Sequence, residues 1–283
     1  MRNPIGINLW NWMVRLSDGV DALIPRIKEL GFSAVEIPMD TLEHDWDALG
    51  RAIRAAGLRV SLCVSMGKGL DLSSFDPEVR ARTAEYLRAC CRCAQALHAE
   101  VLCGPLYSGG GKAHLLPPEQ RETEWALAVD GLRSLAQYAE ERCLRLAVEP
   151  INRYRTSVVN NVSQALQMVR EICCENVGIL FDTYQANIEE ADPVEALRKV
   201  LRAGKLFHFH ACENHRGVPG SGHIPWQPLL SALREFAYEG HITMETFLPG
   251  GLDAGWLPPA ETPDQRAAAG LSYLKARLEG SSI

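Results

Sequence analysis

The sequence predicts a single (β/α)₈ barrel, and three observations carry that expectation. A short apolar or β-branched run, a loop and a helix-period run recur eight times along 283 residues. Composition does not break anywhere along the chain, so the whole of residues 1–283 reads as one domain. Strict β-then-α alternation implies a parallel sheet, and eight units in under 300 residues favour closure of that sheet. A doubly wound open sheet would show a glycine-rich phosphate turn after the first strand, but that turn reads Leu9-Trp10-Asn11-Trp12.

The elements follow in order. Residues 5–9 form the first strand, and a helix over 20–30 stops at Gly31, which can adopt the left-handed cap. Residues 33–38 (SAVEIP) form the second strand, 49–56 its helix, and 58–65 (LRVSLCVS) the third strand. Asp76-Pro77 opens a long helix to about His98, Asp serving as cap and Pro as first helical residue. Residues 100–103 form the fourth strand, 117–142 its helix, and 144–149 (LRLAVE) the fifth strand. A helix over 162–172 leads to the sixth strand, 177–182 (VGILFD). Asp192-Pro193 repeats the cap-plus-proline start, and 206–210 (LFHFH) is the seventh strand. A helix over 225–236, an eighth strand over 241–247 (HITMETF) and a last helix over 262–278 complete the set.

Composition excludes several classes of function. The chain is 47% hydrophobic and 23% charged, with net charge −6 and no long basic run, which argues against a nucleic-acid footprint. Nine cysteines without paired CxxC motifs read as buried free thiols in a reducing compartment rather than a zinc site. The N-terminus lacks the pattern of a signal peptide, and no run of about 18 apolar residues exists to span a membrane. A cytoplasmic location is the expectation.

Barrel chemistry sits where strands end at the C-terminal face. Strand five ends in Glu149, strand six in Asp182, strand seven in His210, and strand eight carries Glu245. They stand 33, 28 and 35 residues apart, about one βα unit each, so four neighbouring strands deliver them to one rim. Three carboxylates and an imidazole converging there would repel without a cation. Oxygen-rich ligands with one His suit Mn²⁺, Mg²⁺ or Co²⁺. A carboxylate that ends a strand also often caps the next helix, which is the plainer account of Asp182 taken alone. His208 points the same way as His210 and competes for the ligand role, one binding while the other lies deeper.

The chain resembles the xylose-isomerase-like barrels, and within them the ketose 3-epimerases of the D-tagatose and D-allulose group. The matching stretches are VEPINRY from Val148, FDTYQANIEE from Phe181, HACENHRGVPG from His210 with Pro225-Trp226 beyond, Thr243-Met244-Glu245, and Cys103-Gly104-Pro105-Leu106. The resemblance covers nearly the whole chain in order. It implies that Glu149, Asp182, His210 and Glu245 hold one divalent ion, Mn²⁺ first among the candidates. It selects His210 over His208, because the family's ligand His precedes a substrate-binding Arg by six, where Arg216 stands. It further implies that Glu149 and Glu245 are the acid–base pair. The ion holds the C2 carbonyl and C3 hydroxyl, one Glu removes the C3 proton, and the other returns a proton to the opposite face of a cis-enediolate. Family members are commonly dimers or tetramers, so a homodimer or homotetramer acting on a small sugar is expected.

Two departures bear on the substrate. The family usually carries a Glu six residues after its first ligand and a His three after the Asp; this chain has Arg155 and Gln185. Both family residues bind the C1–C2 end of a free ketose. Exchanging an acid for Arg155 therefore suggests an anion, a glycosidic linkage or another substituent near the carbonyl, unless Arg155 turns outward or pairs with an acid such as Glu189. A 1,2-aldose–ketose isomerase or a lyase acting on a 3-oxo-glycoside keeps the same site and stays open. A three-metal DNA-repair endonuclease would need more strand-end His and Asp and a basic face, and a sugar-binding barrel without activity would not need four ligands.

Trp10 and Trp12 follow strand one at the active rim and are the aromatic candidates for sugar stacking; Tyr107, Trp226 and Trp256 are further ones. Glu36 and Lys68 are weaker polar candidates. The run Ser108-Gly109-Gly110-Gly111-Lys112 is either an anion cradle or a mobile surface loop. Residues 249–259, with Leu252, Trp256 and Leu257, form either a subunit contact or a pocket lid.

Overall fold

The computed structural model describes residues 3–250 and 255–279. Eight strands close on themselves in chain order: β1 (Ile5–Asn8), β2 (Ala34–Met39), β3 (Arg59–Val64), β4 (Val101–Gly104), β5 (Arg145–Val148), β6 (Val177–Asp182), β7 (Leu206–Ala211) and β8 (Ile242–Met244). Every adjacent pair is parallel, and β1 pairs with β8 to close the barrel. The helices are α1 (Val20–Leu30), α2 (Trp46–Ala55), α3 (Pro77–Leu97), α4 (Pro118–Glu140), α5 (Val162–Ile172), α6 (Thr183–Glu189), α7 (Pro193–Arg202), α8 (Trp226–Glu235) and α9 (Pro263–Glu279).

Local chemistry sets most boundaries. Asp76 and Asp192 cap α3 and α7 by accepting from Glu78 N at 2.8 Å and Val194 N at 2.9 Å, with Pro77 and Pro193 at the first helical positions. Asn161 and Gln164 form a reciprocal capping box at α5. The second helix starts three residues earlier than its apolar period indicates, because Asp45 accepts from Ala48 N at 2.8 Å. The eighth strand is shorter than its sequence suggests. Beyond Met244 the chain leaves the ladder to bond the segment after β1, through Thr246 Oγ1 to Asn11 Oδ1 (2.8 Å) and Leu248 N to Trp10 O (3.0 Å). Helix α6 falls in a stretch with too few apolar residues to show a period, and its N-cap is Asp182 itself.

The main core lies between the barrel wall and the helices, while a small cluster of Cys63, Val101, Cys103, Ala147 and Leu180 fills the barrel interior. Six of the nine cysteines are buried, but Cys143 and Cys173 are exposed and Cys174 is half-buried, which corrects the expectation for those three. No described helix is long and apolar enough to cross a membrane. Register positions the site: Asp182 pairs with His210 across β6 and β7, and Glu149 N donates to Gly104 O at 3.0 Å just past β5.

Candidate metal centre and substrate cavity

The four sequence-predicted ligands meet at the C-terminal rim, all less than a tenth exposed. Glu149, Asp182 and His210 present ligand atoms that all lie within 4.8 Å of one another. His210 Nδ1 faces Glu245 Oε1 at 3.6 Å and has no hydrogen-bond partner. His210 is thus the shared vertex of the four.

Asp182 divides its two oxygens. Oδ1 accepts from Tyr184 N at 2.7 Å and caps α6, while Oδ2 faces the site, 3.0 Å from Arg216 Nη1. The capping role and the site role therefore coexist in one carboxylate. Arg216 Nη1 is also 2.7 Å from Glu245 Oε2 and 3.2 Å from Cys212 Sγ. Its guanidinium stacks 3.9 Å from the Tyr184 ring centroid and 5.0 Å from that of Phe247. Arg216 has a φ of 61°, a left-handed conformation that disfavours side chains and persists where surrounding contacts impose it.

Below the rim, Glu36 organises the imidazoles. Its Oε1 lies 2.8 Å from His210 Nε2 and its Oε2 2.7 Å from His208 Nε2. Asn8 Nδ2 and Ser61 Oγ donate to the same carboxylate at 2.8 and 2.9 Å. His208 lies deeper, its ring 5.8 Å from that of His241, and His210 is the one that faces Asp182, Glu149 and Glu245. Glu36 is the site residue whose weight the sequence understated. Its only signal is a lone carboxylate in the otherwise apolar strand SAVEIP.

Burial and mutual repulsion shape the electrostatics of the site. Burial pushes the Glu149 carboxyl well above the usual carboxylate range, and the negative charge of Asp182 adds to the shift. Burial also raises Asp182, against the counter-pull of Arg216. Burial alone would raise Glu245 too, but His210 and Arg216 outweigh it and hold it below its ordinary value. His210 is driven well above the usual imidazole range despite burial, because Glu36 and Glu245 flank it. An unpartnered imidazole nitrogen among three buried carboxylates is the donor set of an oxygen-preferring divalent ion, and the residues fit such an ion.

Glu149 and Glu245 line one small cavity of about 50 Å³ together with Trp10, Arg155, Gln185 and Arg216. Of the five predicted substrate contacts, this cavity brings four together. Trp12 stands apart: its indole Nε1 donates to Asp264 Oδ1 at 2.8 Å, tying β1's exit to α9 rather than lining this cavity. Gln185 Oε1 accepts from both Asn152 N (2.9 Å) and Asn152 Nδ2 (2.7 Å), so it also fixes the loop after β5. The acid Glu189 pairs with Arg153, at 2.9 Å, and Arg155 lines the cavity. Trp10 stacks on Phe247 with centroids 5.2 Å apart.

The glycine-rich run is tied to neighbouring loops by its own backbone. Gly110 N donates to Met66 O (3.4 Å), and Gly111 N (3.0 Å) and Lys112 N (3.3 Å) donate to Arg155 O. Lys112 Nζ anchors it to Asp71 (2.8 Å), Ser73 Oγ (2.7 Å) and Glu124 (2.7 Å). Tyr107 is fully buried with its hydroxyl on Val159 O, and Trp226 Nε1 donates to Glu213, so neither faces the cavity. Lys68 and Trp256 line two larger neighbouring chambers; Trp256 and Leu257 are exposed, and Leu252 lies outside the described residues.

Comparisons with known proteins agree with this fold. Residues 24–277 match the family model described as xylose isomerase-like TIM barrel. The ketose 3-epimerase of Arthrobacter globiformis is 31% identical, the match covering 82% of this chain and 78% of that protein. The 3-dehydro-D-guloside 4-epimerase of Escherichia coli is 28% identical over 77% of this chain and 84% of its own length. Among solved structures, D-psicose 3-epimerase from Clostridium cellulolyticum with D-tagatose superposes with a TM-score of 0.89 at 25% identity, covering 97% of this chain and 99% of that one. The chain belongs to the xylose isomerase-like TIM barrel family, among relatives that are ketose 3-epimerases.

Proposed function

We propose that the protein is a divalent-metal-dependent sugar epimerase that inverts C3 of a ketose or ketose derivative. One observation carries the reading: Glu149 and Glu245, delivered from β5 and from beyond β8, line the same buried cavity. Two carboxylates on opposite sides of a flat intermediate are what inversion of a carbon acid requires. The relatives named above, epimerases of ketoses and of a 3-dehydro-glycoside, support the same class.

Glu149, Asp182, His210 and Glu245 would hold the ion, with Mn²⁺ the best match to their chemistry and Mg²⁺ or Co²⁺ the alternatives. When bound, the ion supplies positive charge to the oxygen that gains electron density as the proton leaves. The chain's own residues do the rest. One Glu takes the proton from C3, the resulting cis-enediolate stays planar between the two carboxylates, and the other Glu returns a proton to the opposite face. Arg216, already beside Asp182 and Glu245, keeps their charge balanced and is placed to donate to a substrate oxygen. Gln185 and Arg155 line the end of the cavity where the carbonyl side of the sugar would lie.

The test is proton exchange. Mn²⁺-loaded protein in D₂O with D-fructose, D-tagatose, D-allulose and 3-oxo-glucosides is followed by NMR. Deuterium at C3 with an inverted product supports the reading. Label at C1 with an aldose product would replace it with an isomerase, and aglycone release from a 3-oxo-glucoside with a lyase. No exchange from any sugar, with the ion bound, would overturn the substrate class.

A further inference from the structure

The cavity holding Glu149 and Glu245, at about 50 Å³, is too small to enclose a sugar ring, so the substrate must extend beyond it. Trp10, Ser65, Arg155 and Phe247 line this cavity and also a second chamber of about 660 Å³. That volume lies within the roughly 300–1,000 Å³ of pockets that hold drug-sized ligands, more than a single hexose ring needs. A third chamber of about 860 Å³ on the other side of Phe247 shares only Phe247 and Arg216 with the inner cavity. The Arg155 side is therefore the more continuous extension.

The chamber's walls are apolar. Met13, Met39 and Met66 are buried there, Leu70 joins them, and Val14 stands at the edge, 54% exposed. Methionine-lined surfaces are adaptable and favour apolar and aromatic groups. Its charges are of mixed sign, Lys68 and Arg155 against Asp40, so it lacks the concentrated positive field that a phosphate would call for. Arg155 occupies the neck, and its backbone carbonyl is held by the amides of Gly111 and Lys112, whose amine is fixed by Asp71, Ser73 and Glu124. A planar guanidinium in that place can donate to a linkage oxygen and lie flat against an aryl ring. The stacked Trp10–Phe247 pair supplies further aromatic wall at the same neck.

We infer that the substrate is a 3-oxo-glycoside bearing an apolar aglycone, aryl or alkyl, so that the same two carboxylates invert the carbon beside its C3 carbonyl rather than C3 itself. Its aglycone occupies the methionine-lined chamber while the sugar ring sits over Glu149 and Glu245, and Arg155 is the specificity residue at the junction. This rests on the epimerase reading, and the experiment separates the two. Mn²⁺-loaded protein in D₂O is given D-fructose, methyl 3-oxo-glucoside and phenyl 3-oxo-glucoside, and exchange beside the carbonyl is timed. The expected kcat/KM for the phenyl sugar exceeds that for the methyl sugar by at least about tenfold, with a matching gain in calorimetric affinity. Val14→Trp, a change at an exposed position that narrows the chamber, should bring the phenyl-to-methyl ratio to near one. Exchange of D-fructose alone, or of phenyl and methyl sugars at equal efficiency, overturns the inference and leaves the epimerase reading standing. A phenyl preference that Val14→Trp does not change removes the aglycone from this chamber and overturns the assignment. No exchange from any of the three, with Mn²⁺ binding intact, overturns both.

Discussion

Glu36 Oε1 lies 2.8 Å from His210 Nε2, which leaves Nδ1 of the same ring as the nitrogen turned toward Glu245 and the rim. A buried carboxylate on one ring nitrogen fixes the tautomer and orientation of the other, and raises its basicity as a ligand. Glu36→Gln keeps the shape but removes the charge. Mn²⁺ affinity measured by titration calorimetry should fall about 10- to 100-fold. Unchanged affinity would reduce Glu36 to a packing role.

Asp182→Asn separates the two duties of that residue. Asn caps helices as well as Asp does, so α6 should survive, and any loss of stability should be that of the broken Arg216 pair, up to about 3–5 kcal/mol, rather than that of a lost cap. Mn²⁺ binding and exchange activity should be lost, because a neutral amide oxygen replaces a ligand anion. A variant that keeps its metal affinity would assign Asp182 to capping alone.

Arg216 stands between Asp182 and Glu245 at 3.0 and 2.7 Å, so without an ion it supplies their nearest positive charge. Removing one partner of a buried charge group costs about 3–5 kcal/mol. Arg216→Met should therefore destabilise the metal-free protein by that order in urea unfolding. Saturating Mn²⁺ should restore much of the loss, since an ion that binds only the native state stabilises it by mass action. An equal loss with and without Mn²⁺ would show that Arg216 and the ion do not serve the same carboxylates.

Gly104 ends β4 with a φ of 123°, and a Cβ there would meet Val64 O at 2.2 Å. Neither the conformation nor the space admits a side chain. Gly104→Ala should cost more than about 2 kcal/mol in denaturant unfolding. Because Gly104 O accepts from Glu149 N, the variant that still folds should also lose exchange activity. Wild-type stability would refute this close packing.

Glu100 reports on acid sensitivity away from the site. Burial raises its pKa, but His241 and Arg59 beside it outweigh that and hold it below the ordinary carboxylate range. A folded-state pKa below the unfolded one contributes stability that is complete above the unfolded value, and that is lost as pH falls through the folded one. Glu100→Gln should be less stable than wild type at pH 7 by up to about 1 kcal/mol, the modest worth of a partly exposed pair. The gap should narrow as pH drops below about 4.3, where carboxylates of the unfolded chain begin to protonate. Melting curves from pH 7 to 3 on both proteins check the convergence.

Period and punctuation determined the architecture. Eight apolar runs, each followed by a helical run and several punctuated by a Gly stop or an Asp-Pro start, are local signals, and local hydrogen bonding at Asp76, Asp192 and Gly31 obeys them. Strand-end positions likewise announced Glu149, Asp182, His210 and Glu245, because in a parallel barrel every strand's C-terminal end reaches the same rim. What the chain alone left open were relationships between distant segments. That Glu36 takes both imidazoles, that Trp12 turns to Asp264 while Trp10 turns to Phe247, that Glu189 goes to Arg153, and that Arg155 lines the cavity are outcomes of closure. Closure brings strands 28 or more residues apart within hydrogen-bond reach, and only then does the geometry choose among chemically equivalent partners. The chamber beyond Arg155 belongs to the same category, since it is bounded by loops after β1, β2, β3, β4, β5 and β8 that share no sequence pattern and meet only in the folded barrel.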